Sequence, residues 1–254
     1  MIRLTVLCIC LVFVNMLLLG TCEAMLSMEG AVAIWLLDEG KGNEVTDASG
    51  NNHSGAFFGE PLWAEGKFGS ALSFDGKDDY VEILDPVTGE FVDFTIGCWV
   101  KPGDTQKMYA NILDTHKEPP RQGITFEQNG NDANSFYFAF GDKTNWDVTD
   151  PVQLNSGTWN HLVGVRMGEN MTVFINGEIS TKTQIPKIPV GIAESNFRIA
   201  NWVNGGREFN GVIDEAFVFS KALSQDEITS IMKSGIMGAL SVSSSGKTLI
   251  RGEL

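Results

Sequence analysis

Cysteine is scarce in this chain, and what there is sits mostly at one end. Of four cysteines in 254 residues, Cys8, Cys10 and Cys22 fall within the first 24. That stretch carries Arg3, the apolar run Leu4–Leu19 and the small-residue exit Gly20-Thr21-Cys22-Glu23-Ala24. These are the three parts of a secretory signal peptide, with Cys22 and Ala24 at the small positions before the cut. A lipoprotein signal with Cys22 lipidated is the alternative, which Thr21 fits poorly. The apolar run is shorter than the roughly 20 residues a membrane span requires. Cleavage after Ala24 would leave Cys98 alone, and one cysteine makes no internal disulfide.

Positive charge is also in short supply. Lys and Arg total 18 against 32 Asp and Glu, for a net charge of −14. Removing residues 1–24 takes away one base, Arg3, and one acid, Glu23, and leaves that value unchanged. An acidic surface argues against nucleic acid and anionic membranes as partners. It is compatible with calcium and with neutral sugars. Histidine is limited to His53, His116 and His161, and none shares a local motif with Cys98. Cys98 alternates with Phe94, Ile96 and Val100, so it reads as a small core hydrophobe. There is no His-Glu-x-x-His zinc helix, no Gly-x-Ser-x-Gly elbow and no phosphate loop. No internal repeat is visible, and the length suits one large domain.

Short alternating runs divided by turn residues make up most of the rest. They predict strands at Ala31–Leu36, Ala71–Phe74, Tyr80–Ile83, Phe94–Val100, Asn111–Thr115, Ile124–Glu127, Phe136–Phe140, Asn160–Arg166, Met171–Ile175, Glu178–Thr183, Phe197–Ala200 and Val212–Phe219. Asn176-Gly177 is a type I′ hairpin signal. Ser224 and Glu227 form a capping box that opens a helix with Ile228, Ile231 and Met232 as its apolar stripe and Gly235 as its stop. The expected fold is all-β: a two-sheet antiparallel jelly-roll sandwich with one short C-terminal helix, inner faces apolar and outer faces polar. The domain is expected over residues 25–235. The tail Ile236–Leu254 is left unassigned, with one weak strand at Thr248–Ile250.

Five ordered stretches carry a family resemblance. They are IWLLDEGKGNEVTDASGNNHSGAFFGEPLWAEGKFGSALSFDGKDDYVEI (Ile34–Ile83), DFTIGCWVKP (Asp93–Pro102), SGTWNHLVGVR (Ser156–Arg166), MTVFINGE (Met171–Glu178) and FNGVIDEAFVFSKALSQDEI (Phe209–Ile228). In these the chain resembles the laminin-G-like jelly-roll family of the concanavalin A-like lectin/glucanase superfamily, from Ala31 to about Gly235. The superfamily hosts lectins, glycosidases and structural modules, so the resemblance speaks to fold more than to function. Its sugar-cleaving members commonly carry Glu-x-Asp-x-x-Glu on one strand, and no glutamate here begins that pattern. The reading therefore leans away from an enzyme.

The resemblance implies a structural calcium held by Asp38, the Gly42 carbonyl and Asp214. Taken alone, Asp38 and Asp47 equally suit turn caps, and Asp214 a bond to a neighbouring loop. Asp75, Asp78 and Asp79 cluster around Gly76 and read as a turn. Among six tryptophans, Trp35, Trp63, Trp99 and Trp159 lie in the shared landmarks and read as packing. Trp146 and Trp202 sit in polar, irregular sequence, and with Asn201, Asn204 and Arg207 they form the carbohydrate-binding candidate. A loop tryptophan anchoring its own loop is the competing reading. His161 reads as a packed structural residue. The expected function is secreted, non-catalytic recognition of a glycan or an extracellular surface protein, without nucleic acid and without membrane insertion after signal removal. A structural or adhesive module without a discrete ligand is the alternative, and an unconventional polysaccharide hydrolase or lyase ranks third.

Overall fold

Phe94, Ile96, Cys98 and Val100 alternate along one strand and all point into a core between two sheets, as a period of two requires. The structure is a computed structural model. It describes residues 26–244 except 84, 86, 88, 131, 186–189 and 193–195. The signal-peptide reading with its Cys22 alternative, and the weak strand at Thr248–Ile250, lie outside the described residues.

The first sheet runs through Glu178–Gln184 (β16), Asn170–Ile175 (β15), Asn160–Met167 (β14), Phe94–Pro102 (β8), Asn210–Phe219 (β19), Ser70–Asp75 (β5) and Leu62–Glu65 (β4), with Ala31–Trp35 (β1) also paired to β19. The second runs through Trp146–Val148 (β12), Ser135–Lys143 (β11), Arg121–Gln128 (β10), Asn111–Asp114 (β9), Arg198–Ile199 (β18), Tyr80–Ile83 (β6), Gly55–Phe58 (β3) and Glu44–Val45 (β2), with Val152–Gln153 (β13) on β11. Gly89–Phe91 (β7) and Val190–Ile192 (β17) form a small separate pair. Each pairing is antiparallel, and the long crossovers that bring β8 between β14 and β19 give the jelly-roll order. At the β15–β16 hairpin, Asn176 and Gly177 take φ of 51° and 83°, the left-handed pair that a type I′ turn needs.

The twelve expected strands that fall within the described residues all form. The missed ones are short (β2, β3, β4, β7, β12, β13 and β17), and several are edge pieces whose pattern is too brief to show a period.

The outer face of the first sheet departs from expectation. Thr95, Gly97 and Trp99 alternate with the core residues of β8, yet they too are buried. Gln225–Ser244 (α1) covers this face, packing Ile228, Ile231, Ile236 and Ala239 on Val163, Phe174, Phe217 and Phe219. Each large apolar side chain so covered contributes about 1.5–3 kcal/mol. Thr95 Oγ1 donates to Lys221 O at 2.8 Å and accepts from Leu223 N at 2.9 Å, which satisfies its buried hydroxyl.

The helix begins with the expected box. Glu227 N donates to Ser224 Oγ at 3.2 Å, and Ser224 N donates to Glu227 Oε2 at 2.8 Å. At Gly235 the backbone leaves the helical region (φ 71°, ψ 166°) and a second helical stretch follows. A Cβ there would meet Glu215 Oε1 at 2.7 Å, so glycine is needed both for the angle and for the space. Glu215 in turn accepts from Ile236 N at 3.1 Å, tying the residues after the kink to the sheet.

Candidate functional site

The outer face of the second sheet carries a pocket over β10 and β11 where the first sheet carries the helix. Ile124 and Phe126 of β10 point into the core, as do Phe136, Phe138 and Phe140 of β11. Thr125 and Glu127 therefore face outward, opposite Ala139 and Tyr137 in register. Asp114, opposite Thr125, ends β9, and His116 follows two residues on. The side chains of His116, Glu118, Thr125, Glu127, Tyr137, Ala139, Trp146, Val148 and Arg207 line a cavity of about 210 Å³, with Asp114 buried beside it.

The polar groups of the pocket are interlocked. His116 Nδ1 lies 2.5 Å from Asp114 Oδ1, and the Asp114 carboxylate is fully buried. Tyr137 donates its hydroxyl hydrogen bond to Glu127. Arg207 Nη1 donates to Glu127 Oε2 at 2.5 Å, and Asn111 Nδ2 reaches the same oxygen at 3.3 Å. Burial pushes the Glu127 carboxyl above its ordinary value against the bonds from Tyr137 and the charge of Arg207. Glu118 goes the other way: a hydrogen bond from the Trp146 indole, at 2.9 Å, holds it below the usual carboxylate range. Glu118 is thus ionised at neutral pH.

Trp146 and Arg207 line one pocket. Trp146 does not lie in a loop, as its polar surroundings suggest, but opens the edge strand β12, paired with Gly141. The preceding polar residues form a tight turn: Asp142 Oδ1 accepts from Thr144 N at 2.7 Å and Asn145 N at 2.6 Å. Trp202 stands behind the pocket wall. His116 stacks on it (centroids 5.2 Å apart, planes at 21°) and the Arg207 guanidinium lies 4.2 Å from its ring centre. With both neighbours in place, the Trp202 indole is a support and not an open platform.

Asn201 also departs from the expected ligand contact. It is 1 % exposed, its Oδ1 accepts from Trp202 N and Arg207 N, and its Nδ2 donates to Glu208 Oε1 at 3.2 Å. Its amide is spent shaping the loop that carries Trp202 and Arg207. Asn204 is exposed at the tip of that loop. The sequence reading missed Asp114, His116, Glu118, Glu127 and Tyr137. The Asp-Thr-His spacing and the polar members of the β10 and β11 alternation were the signals that could have found them.

Asp38 and Asp214 lie on the other sheet's side, gripping one loop. Asp214 Oδ2 accepts from Lys67 N at 2.8 Å and Phe68 N at 3.0 Å, and Asp38 Oδ1 accepts from Ser70 N at 2.8 Å. Asp214 Oδ1 is buried without a hydrogen-bond partner. Burial, with the charge of Asp38 adding to it, raises the Asp214 carboxyl to about 7. The Gly42 carbonyl accepts from the Trp63 indole at 3.0 Å. Asp75, Asp78 and Asp79 stand close together, but Asp79 accepts from Glu60 N and Asp75 N while Asp75 pairs with Lys77, so they serve their turn. His161 is fully buried against Trp99 and Phe217, and burial lowers its pKa to about 3.

Two antiparallel sheets in jelly-roll order, with a pocket on one outer face, define a lectin/glucanase-like sandwich. A family profile described as the concanavalin A-like lectin/glucanases superfamily, of the laminin G type, matches residues 75–229, more than half of the chain, and the chain belongs to that family. No curated protein matches the chain in sequence. Among solved structures, domain 4 of the extracellular arabinanase AbnA from Geobacillus stearothermophilus, in complex with arabinotriose, is similar: TM-score 0.64 and 22 % identity, over 80 % of this chain and 98 % of that one. The binding domain of Paraclostridial Mosquitocidal Protein 1 (TM-score 0.63, 15 % identity, 81 % of this chain, 52 % of that one) is also similar. So is the binding domain of Botulinum Neurotoxin DC in complex with SialylT (0.60, 15 %, 82 % and 52 %). The chain spans about half the length of these two toxin structures. At these identities the likeness is one of fold.

Proposed function

We propose that this chain is a secreted, non-catalytic module that binds a glycan in the pocket on the second sheet. The observation that carries the reading is the meeting of Trp146 with Glu118, Glu127, His116 and Arg207 around one cavity. An indole offers an apolar plane to a sugar ring, and the carboxylates and guanidinium suit its hydroxyls. The reading is supported by a similar sandwich that holds arabinotriose and another in complex with SialylT. A glycan array probed with and without calcium tests it. Binding that Trp146→Ala removes supports the glycan site. An empty array favours an adhesive module without a discrete ligand, and reducing ends released from a polysaccharide panel would reveal an enzyme.

Two further parts belong to this proposal. A structural calcium would be held by Asp38, the Gly42 carbonyl and Asp214. The unpartnered, buried Asp214 Oδ1 suits a hard cation that takes oxygen ligands. Secretion rests on residues 1–24, and N-terminal sequencing of the mature protein should start at Met25. Among the described residues no helix is long and apolar enough to cross a membrane.

A further inference from the structure

The charges of the pocket are already matched to one another, and that restricts what can enter. Arg207 is committed to Glu127 at 2.5 Å and laid against Trp202. Arg121, at the pocket's edge, faces Glu118 at 3.4 Å. His116 turns its Nδ1 to the buried Asp114. Both guanidinium groups at this site thus have a carboxylate partner, as does the His116 ring, and Glu118 is ionised by the bond from Trp146. An incoming carboxylate would meet like charge in a partly desolvated cavity, where repulsion is several times stronger than in water. It would gain a guanidinium only by breaking a pair already made.

Size narrows the choice further. A cavity of about 210 Å³ falls below the roughly 300–1,000 Å³ of pockets that enclose drug-sized ligands. With two large side chains, Trp146 and Arg207, in its lining, it suits one ring and not a stretch of chain laid across the sheet.

We infer that, if the glycan reading holds, this pocket takes a single uncharged sugar ring at the end of a chain and rejects acidic ones, with Glu118 as the residue that sets the charge preference. The inference rests on the proposed glycan site and names its ligand class. The test is titration calorimetry of the mature protein with matched oligosaccharide pairs, identical except that the terminal ring is a neutral hexose or pentose or the corresponding uronic acid. The free neutral monosaccharide is included as a competitor.

The neutral-ended member should bind at least about tenfold more tightly, and the monosaccharide should compete. Glu118→Gln keeps the shape and an acceptor for Trp146 while removing one negative charge. It should shrink the neutral-to-acidic ratio by about threefold or more, the ratio being the readout whatever happens to either affinity. Equal or tighter binding of the acid-ended member, a ratio unmoved by Glu118→Gln, or binding of long chains without monosaccharide competition overturns this inference and leaves the glycan reading standing. No binding to any glycan overturns both.

Discussion

Trp146 lines the pocket and donates its indole N–H to Glu118, while Trp202 has His116 stacked on it and Arg207 laid over it. The two should therefore respond differently to truncation. Trp146→Ala is expected to weaken glycan binding by tenfold or more at a stability cost below about 1 kcal/mol, as for an edge side chain. Trp202→Ala removes a packed indole and should cost about 2 kcal/mol or more, with binding lost because His116 and Arg207 lose their support. Calorimetry beside chemical denaturation separates these patterns. His161 supplies a second residue-scale test. Its folded pKa of about 3 lies below the unfolded value of about 6.5, so the unfolded chain takes up the proton first. Its contribution to stability is whole above about pH 6.5 and is lost as the pH falls toward 3, by up to about 1.4 kcal/mol per unit. His161→Leu should remove that component, so the stability difference between variant and wild type should grow in the variant's favour on acidification. A difference independent of pH would show that His161 takes up its proton as readily in the fold as in the unfolded chain.

Two elements hang on single side chains. The loop from Gly66 to Ser70 is held through its amides by Asp214 and Asp38, and a bound calcium would use the one Asp214 oxygen those bonds leave free. Millimolar calcium is expected to raise the melting temperature by binding only the folded state. Asp214→Asn should abolish that rise, and a wild-type protein indifferent to calcium would retire the metal. The kink in α1 is the other case. Gly235→Ala places a methyl group 2.7 Å from the Glu215 carboxylate at a φ of 71°, and should cost about 1–3 kcal/mol by the combined clash and strain. The helix start was legible because a capping box is a local pattern. The packing of Ile236 and Ala239 beyond Gly235 was not, since it depends on Glu215 and on a sheet face assembled from β14, β15 and β19.

At the scale of the molecule the two outer faces have been put to different uses. One is sealed by α1, and the other carries the pocket, with the sandwich core between them. A chelator should accordingly lower the melting temperature while leaving glycan affinity unchanged at temperatures well below the melt. A parallel loss of affinity in the folded protein would instead tie the cation to the pocket. Alternation along β8, the Asn-Gly turn, the capping box and the isolation of Cys98 were all determined by the sequence itself, because each depends on neighbours within a few positions and on a period of two or of 3.6. The same locality let Trp146, Trp202 and Arg207 be picked out by type. Which indole faces a ligand, that Asn201 braces a loop instead of reaching a sugar, and that Asp114, His116, Glu118 and Glu127 join the site were decided only by the tertiary structure. Those facts follow from cross-strand register and from the return of a distant loop onto the second sheet, contacts between residues far apart in the chain that no local pattern encodes.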